Sequence, residues 1–149
     1  MEISLSLSLP RDEQSIPVAR HIVRHAMVEV GVDHACASDV EVALSEACTN
    51  VLRHSGPGDE YDVRLDLADE VCSIRVVDVG GGFDAGRPHE ARAALDAEQG
   101  RGLGLMQALV DKVRFVSRSE AGTVVHLEKN LSYSDASLLG RHNRSRDSA

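Results

Sequence analysis

Tryptophan is absent from this 149-residue chain, and aromatic residues make up only 3% of it. A core has to be built from Val, Leu, Ile and Ala rather than from large rings. Cysteine is scarce as well: Cys36, Cys48 and Cys72 are odd in number, widely spaced and form no C-x-x-C pair. They read as three reduced thiols of a cytosolic protein, not as a disulfide framework. No apolar run reaches the roughly 18 residues of a membrane-spanning helix. Met1-Glu2-Ile3-Ser4 has neither the basic nor the apolar part of a signal peptide. A cytoplasmic setting without a membrane partner is expected. Positive charge is also short, with 16 Lys and Arg against 24 Asp and Glu and a formal net charge of −8. That excludes a basic nucleic-acid surface.

The composition that remains, 42% hydrophobic and 27% charged, is that of one ordinary globular domain. Ile3, Leu5, Leu7 and Leu9 alternate with serines, which predicts a strand ended by Pro10. Apolar residues at steps of three and four predict a helix from about Ile16 to Val30, closed by Gly31. A second helix is expected near Ser38, where Ser38 and Glu41 match a capping box, and it runs to the stop at Ser55-Gly56-Pro57-Gly58. Asp33 and Asp39 read as further capping residues. Two strands follow, around Val63–Leu67 and Val71–Val77, turned at Ala68-Asp69-Glu70. The stretch from about Val79 to Arg101 is glycine-rich and aperiodic, and segments of that kind inside a compact domain are usually functional. A short helix from about Leu103 to Lys112 and a closing hairpin, Val113–Ser119 and Thr123–Leu131 turned at Glu120-Ala121-Gly122, complete the domain. Residues 1–131 form that domain, and 132–149 are expected to be a flexible tail. The order predicts an α+β fold, a two-layer α/β sandwich whose sheet is mixed but mostly antiparallel.

Three clusters carry chemistry. Glu46, Asn50 and His54 recur every four residues along one flank of the second helix. Taken alone the row fits a solvated polar stripe. With a nucleotide present it fits better as a site, because an amide carbonyl can ligate Mg2+ and a carboxylate one turn away can accept a proton. Asp78-Val79-Gly80-Gly81-Gly82-Phe83-Asp84 follows a strand directly: a carboxylate at a strand end can accept from an exocyclic amine, and glycines let backbone approach a flat ring. Gly100-Arg101-Gly102-Leu103-Gly104-Leu105 opens a helix, whose first N–H groups favour phosphate. Each of the last two alone fits a Gly-rich turn. His21 and His25 have the spacing of a metal pair but lack a third ligand, and they read as solvated helix residues.

In their order and spacing the three clusters resemble the N, G1 and G2 boxes of the ATPase superfamily that includes gyrase, heat-shock chaperone ATPases and histidine kinases. Glu46-Ala47-Cys48-Thr49-Asn50-Val51-Leu52-Arg53-His54 resembles the E-x-x-x-N-x-x-x-H form of its anti-sigma-factor serine kinases. The resemblance covers about residues 1–131. It implies Glu46 as catalytic base and Asn50 as Mg2+ ligand, and it implies Asp78 as the adenine contact between Gly80 and Gly82. Arg101 would meet the γ-phosphate, Gly102, Leu103 and Gly104 would hold the phosphates, and residues between Asp84 and Gly100 would form a lid. The implied cofactors are ATP and Mg2+. The implied partners are a sigma factor and a STAS-type antagonist phosphorylated on serine, with a homodimer formed through the sheet edge and first helix. The sequence departs from the family where Ser55-Gly56-Pro57 follows His54 and where Gly81 adds a third glycine. The competing reading is an ATP-binding regulatory module without kinase activity. The catalytic piece of a histidine kinase is disfavoured, since neither His21-Ile22 nor His25-Ala26 forms a His-Glu or His-Asp phosphoacceptor motif.

Overall fold

The computed structural model describes residues 2–54, 59–78, 100–118 and 122–133. Its elements are β1 (Glu2–Pro10), α1 (Ser15–Glu29), α2 (His34–His54), β2 (Glu60–Ala68), β3 (Val71–Asp78), α3 (Gly100–Leu109), β4 (Lys112–Arg118) and β5 (Gly122–Asn130). They build the expected two layers, with the helices on one face of a single sheet of order β1-β2-β3-β5-β4. The sheet corrects one expectation. Every pairing among the described residues is antiparallel, so no neighbouring strands supply the parallel part of a mixed sheet. Connectivity explains this: β5 is antiparallel to both β3 and β4, so those two run in the same direction. The α3 crossover links them, and β5 folds back into the gap.

Alternation sorts the two faces of the sheet. Tyr61, Val63, Leu65 and Leu67 of β2, Cys72, Ile74 and Val76 of β3, and Val125 and Leu127 of β5 are buried beneath the helices. Opposite them α2 contributes Val40, Ala43, Leu44, Ala47 and Val51, and α1 contributes Ala19, Val23 and Met27. The other face is polar. Ser73 and the His126 ring meet at 2.8 Å, and Arg64 pairs with Asp66 at 3.0 Å. On edge strand β1, Ile3, Leu5 and Leu7 are only half-buried. Cys36, Cys48 and Cys72 are buried free thiols, and burial pushes Cys48 and Cys72 up to about 12. Those two are packing residues in their protonated form.

The helix hairpin is fixed by its link. Gly31 has φ 92, its N–H donates to the Val28 carbonyl at 3.0 Å, and the Val32 N–H reaches back to Met27 at 2.9 Å. This is a Schellman closure, and its apolar partners Met27 and Val32 are both buried. The α2 helix begins at His34, four residues earlier than the sequence suggests. Asp33 is the cap: its Oδ1 accepts from the Ala35 N–H at 3.2 Å. Ser38 and Glu41 are not a capping box. They face α1, where Arg24 Nη1 lies 2.6 Å from Glu41 Oε2 and 3.4 Å from Ser38 Oγ, and Arg20 Nε lies 3.1 Å from Glu41 Oε1.

Two further boundaries shift. The α3 helix starts at Gly100 rather than Leu103 and ends at Leu109, because glycines at its opening hide the helical period. After β5 the chain stays tied down beyond the expected limit. The Leu131 N–H donates to Glu70 at 2.7 Å, Ser132 O accepts from the Asp33 N–H at 2.7 Å, and the Tyr133 hydroxyl donates to Asp69 O at 2.5 Å. The exit at residues 55–58, the turn at Glu120-Ala121, the lid and the tail from residue 134 lie outside the described residues.

Gly31→Ala forces a Cβ into the left-handed region. It should cost about 1–2 kcal/mol, measured as a lower urea midpoint with unchanged slope. An unchanged midpoint would show that the hairpin link does not depend on this turn.

Candidate functional site

A buried chain of hydrogen bonds ties the start of α1 to one end of the sheet, beneath the C-terminal half of α2. Tyr61 is fully buried, and its hydroxyl lies 2.6 Å from Ser15 Oγ. Ser15 Oγ donates to the Asp12 carbonyl at 2.6 Å, so its single proton is used there and Tyr61 donates to Ser15. The Cys48 thiol, between Glu46 and Asn50, lies close to the Tyr61 hydroxyl. Burial is the main cause that pushes the Tyr61 hydroxyl up to about 12, so it stays a neutral donor. In the ladder Tyr61 stands directly opposite Asp78. The N-box turn of α2 and the last residue of β3 therefore meet at the same end of the sheet, joined through one tyrosine. Sequence reasoning passed over Tyr61; its signal was a lone aromatic on the inward face of a strand.

The opposite flank of α2 faces α3. Lys129 of β5 lies 3.4 Å from Asp39 and donates to the last α3 carbonyl, Leu109 O, at 2.7 Å. Asp39 lies two turns before Glu46 on almost the same side of α2. The strand directions make α2 and α3 antiparallel, so the Gly100–Gly104 opening of α3 runs beside Glu46 and Asn50. Arg101, Gly102 and Leu103 lie in its first turn. Gly104 is exposed, and a Cβ built on it meets nothing within 4 Å. Nothing in the described protein demands glycine there.

Asn50 departs from the solvated stripe that its row suggests. It has 0% exposure, and neither its Oδ1 nor its Nδ2 has a hydrogen-bond partner among the described residues. Glu46 beside it is half-buried. Asp78 is buried, with 1% exposure. The register adds one residue that the sequence reading missed. Val77 pairs with Val124, so the next step sets Thr123 beside Asp78, and Thr123 is also fully buried. Its signal was a polar residue in the inward series Thr123, Val125, Leu127. Gly80 and Gly82 lie outside the described residues. The structure thus brings Glu46, Asn50, Asp78, Thr123 and the opening of α3 to one end of the sheet.

A buried amide with no partner costs free energy that an apolar isostere would not. Asn50→Leu should therefore raise stability without nucleotide by roughly 1–2 kcal/mol, read from chemical unfolding. A loss of stability instead would mean that the amide is already satisfied.

Comparison with known proteins places this geometry. The histidine kinase-like ATPase domain family matches residues 9–129. The serine-protein kinase RsbW of Bacillus pumilus is 29% identical over 140 residues, covering 85% of this chain and 85% of that protein. The protein of the same name from Bacillus subtilis is 27% identical over 138 residues, with the same coverage. An anti-sigma F factor of Bacillus licheniformis is 31% identical over 109 residues, covering 66% of this chain and 73% of that one. Among solved structures, the RsbU and RsbW domains of a Mycobacterium tuberculosis protein superpose with a TM-score of 0.67 at 24% identity. That match covers 89% of this chain and 33% of the longer one, and it supports the fold. With the family match spanning residues 9–129, most of the chain, this protein belongs to the histidine kinase-like ATPase domain family.

Proposed function

We propose that this chain is an anti-sigma factor and protein serine kinase: it holds a sigma factor and uses ATP to phosphorylate a serine of a STAS-type antagonist. The observation that carries the nucleotide reading is Asn50, a fully buried amide with no partner on the flank of α2 beside α3. Its neutral oxygen suits a hard cation that also binds phosphates and water, so the residues present fit Mg2+. When bound, Mg2+ neutralises charge on the phosphates. Asp78 and Thr123 supply two polar groups at the end of β3 and β5 for the edge of adenine. The opening of α3 at Gly100–Gly104, with Arg101 and Leu103, holds the phosphates. Gly80 and Gly82 would complete the adenine side.

Glu46 is the group placed to accept the proton of the attacking serine hydroxyl. The serine oxygen bonds to the γ-phosphorus, the bond to the β-phosphate oxygen breaks, and ADP leaves. A phosphoserine adds about −2 charge and would release the antagonist from the contact surface by repulsion and desolvation. The binding-only alternative keeps the nucleotide site but has no use for Glu46. A homodimer through edge strand β1 and α1, and a cytoplasmic setting, belong to the same proposal.

Two measurements test the reading. Glu46→Gln is nearly isosteric, so it should keep ATP and sigma-factor binding while transfer to an antagonist domain falls roughly 10²–10⁴-fold. Positioning dominates phosphoryl transfer, which favours the lower end of that range. Transfer at the wild-type rate would remove Glu46 as the base. A wild-type chain that binds ATP and a sigma factor but phosphorylates no antagonist would establish the binding module. Gly104→Ala should raise stability without nucleotide by about 0.5–1 kcal/mol, because alanine is the better helix former and space is open. The same change should weaken ATP binding in a calorimetric titration. Unchanged affinity would show that phosphates do not approach Gly104.

A further inference from the structure

Beside the end of α2 that carries Glu46 and Asn50 lies a second cleft. It is a cavity of about 640 Å³ between α2 and the start of α1, lined by Arg11, Glu13, Ile16, Thr49, Leu52 and Arg53. It is distinct from the nucleotide cleft, which lies on the α3 side of the same helix. On the α2 wheel, Thr49 and Leu52 face α1, as Glu41 does through Arg20 and Arg24, whereas Asn50 faces away. Glu46 and Arg53 share the crest between the two clefts, seven residues and so within about 20° of each other. Arg53 is exposed and has no ion pair among the described residues. The exposed Arg53 guanidinium puts an available cation at the edge of this cavity in a chain whose net charge is −8.

Resting on the kinase reading, we propose that this α1–α2 cavity is the acceptor groove, and that Arg53 selects an antagonist whose phosphorylated serine is flanked by an acidic side chain. The nucleotide occupies one side of α2 and the acceptor the other. Glu46 stands between them, where a base for the acceptor hydroxyl has to be. Charge complementarity chooses the occupant's chemistry, because an acidic side chain is what an unpaired guanidinium binds bidentately. Helix geometry sets the spacing. Glu46 and Arg53 are separated along α2 by about 10.5 Å, which is about three residues of extended chain. The acidic residue therefore lies about three positions from the serine. Ile16 and Leu52 give the intervening residues an apolar floor.

The test uses the full-length chain, labelled ATP and a panel of purified STAS domains, each carrying a candidate serine. The acceptor that wild type phosphorylates is then used for steady-state kinetics. Arg53→Ala should raise KM for that acceptor about tenfold and Arg53→Glu further, with ATP affinity changed less than twofold. Arg53→Lys should recover part of the loss. Replacing the acidic residue three positions from the acceptor serine by lysine should impair wild type and restore turnover with Arg53→Glu. Arg114→Ala, on the far face of the sheet, removes the same charge and should leave both constants alone. The groove assignment is overturned if Arg53 variants alter ATP affinity and not acceptor KM, if they weaken only sigma-factor binding, or if the acceptor serine has no acidic neighbour. Absence of transfer by wild type to every domain of the panel would overturn the kinase reading, and the groove with it.

Discussion

A buried amide that meets no partner is the constraint around which this molecule is arranged. Asn50 sits in α2 with its polar atoms shut off from solvent and without a hydrogen-bond partner among the described residues. Folding alone gives no reason to keep it, since leucine would fill the same space without the desolvation cost. The rest of the fold holds α2 in place despite that cost. Its inward row packs on the sheet, its first turn is capped by Asp33, Glu41 takes two arginines from α1, and Asp39 is joined through Lys129 to the end of α3. At that end of the sheet the anchor is Tyr61, bonded to Ser15 and opposite Asp78 in the ladder. The elements that carry these residues are fixed by contacts that do not involve a ligand.

This arrangement gives α2 two working flanks. One shares a cleft with α3, whose glycine-rich opening brings N–H groups to a place where a side chain would meet only empty space. The other shares a cavity with the start of α1 and carries Arg53. Glu46 lies on the crest between them, half-buried, where the proposed mechanism needs a proton acceptor. The Asp12–Ser15–Tyr61 hydrogen bonds tie the turn before α1 to the start of β2, opposite Asp78.

Much of this was legible in the residues because the governing periods are short. Alternation set the strands, steps of three and four set the helices, and four-residue spacing put Glu46 and Asn50 on one flank. What failed was decided by contacts remote in sequence. Ser38 and Glu41 have the spacing of a capping box, but α1 claims both through Arg24, and the real cap is Asp33. Burial of Asn50 could not be read from its row, because the helix that covers its flank begins fifty residues later. Thr123 and Tyr61 become site residues only once β2, β3 and β5 are aligned, and strand register is not written in any local pattern. The sheet was expected to contain parallel neighbours. Among the described residues it does not, since β5 intervenes between β3 and β4, which run the same way.

The central claim is that this end of the sheet is an adenine nucleotide site with Asp78 as its recognising carboxylate. Calorimetric titration of the wild-type chain with ATP and with GTP, each with Mg2+, tests it most directly. ATP offers an amine where GTP offers a carbonyl, so the account predicts ATP binding at least about tenfold tighter, the scale of one hydrogen bond to a charged group. Equal affinity for the two nucleotides, or no binding of either, would contradict it.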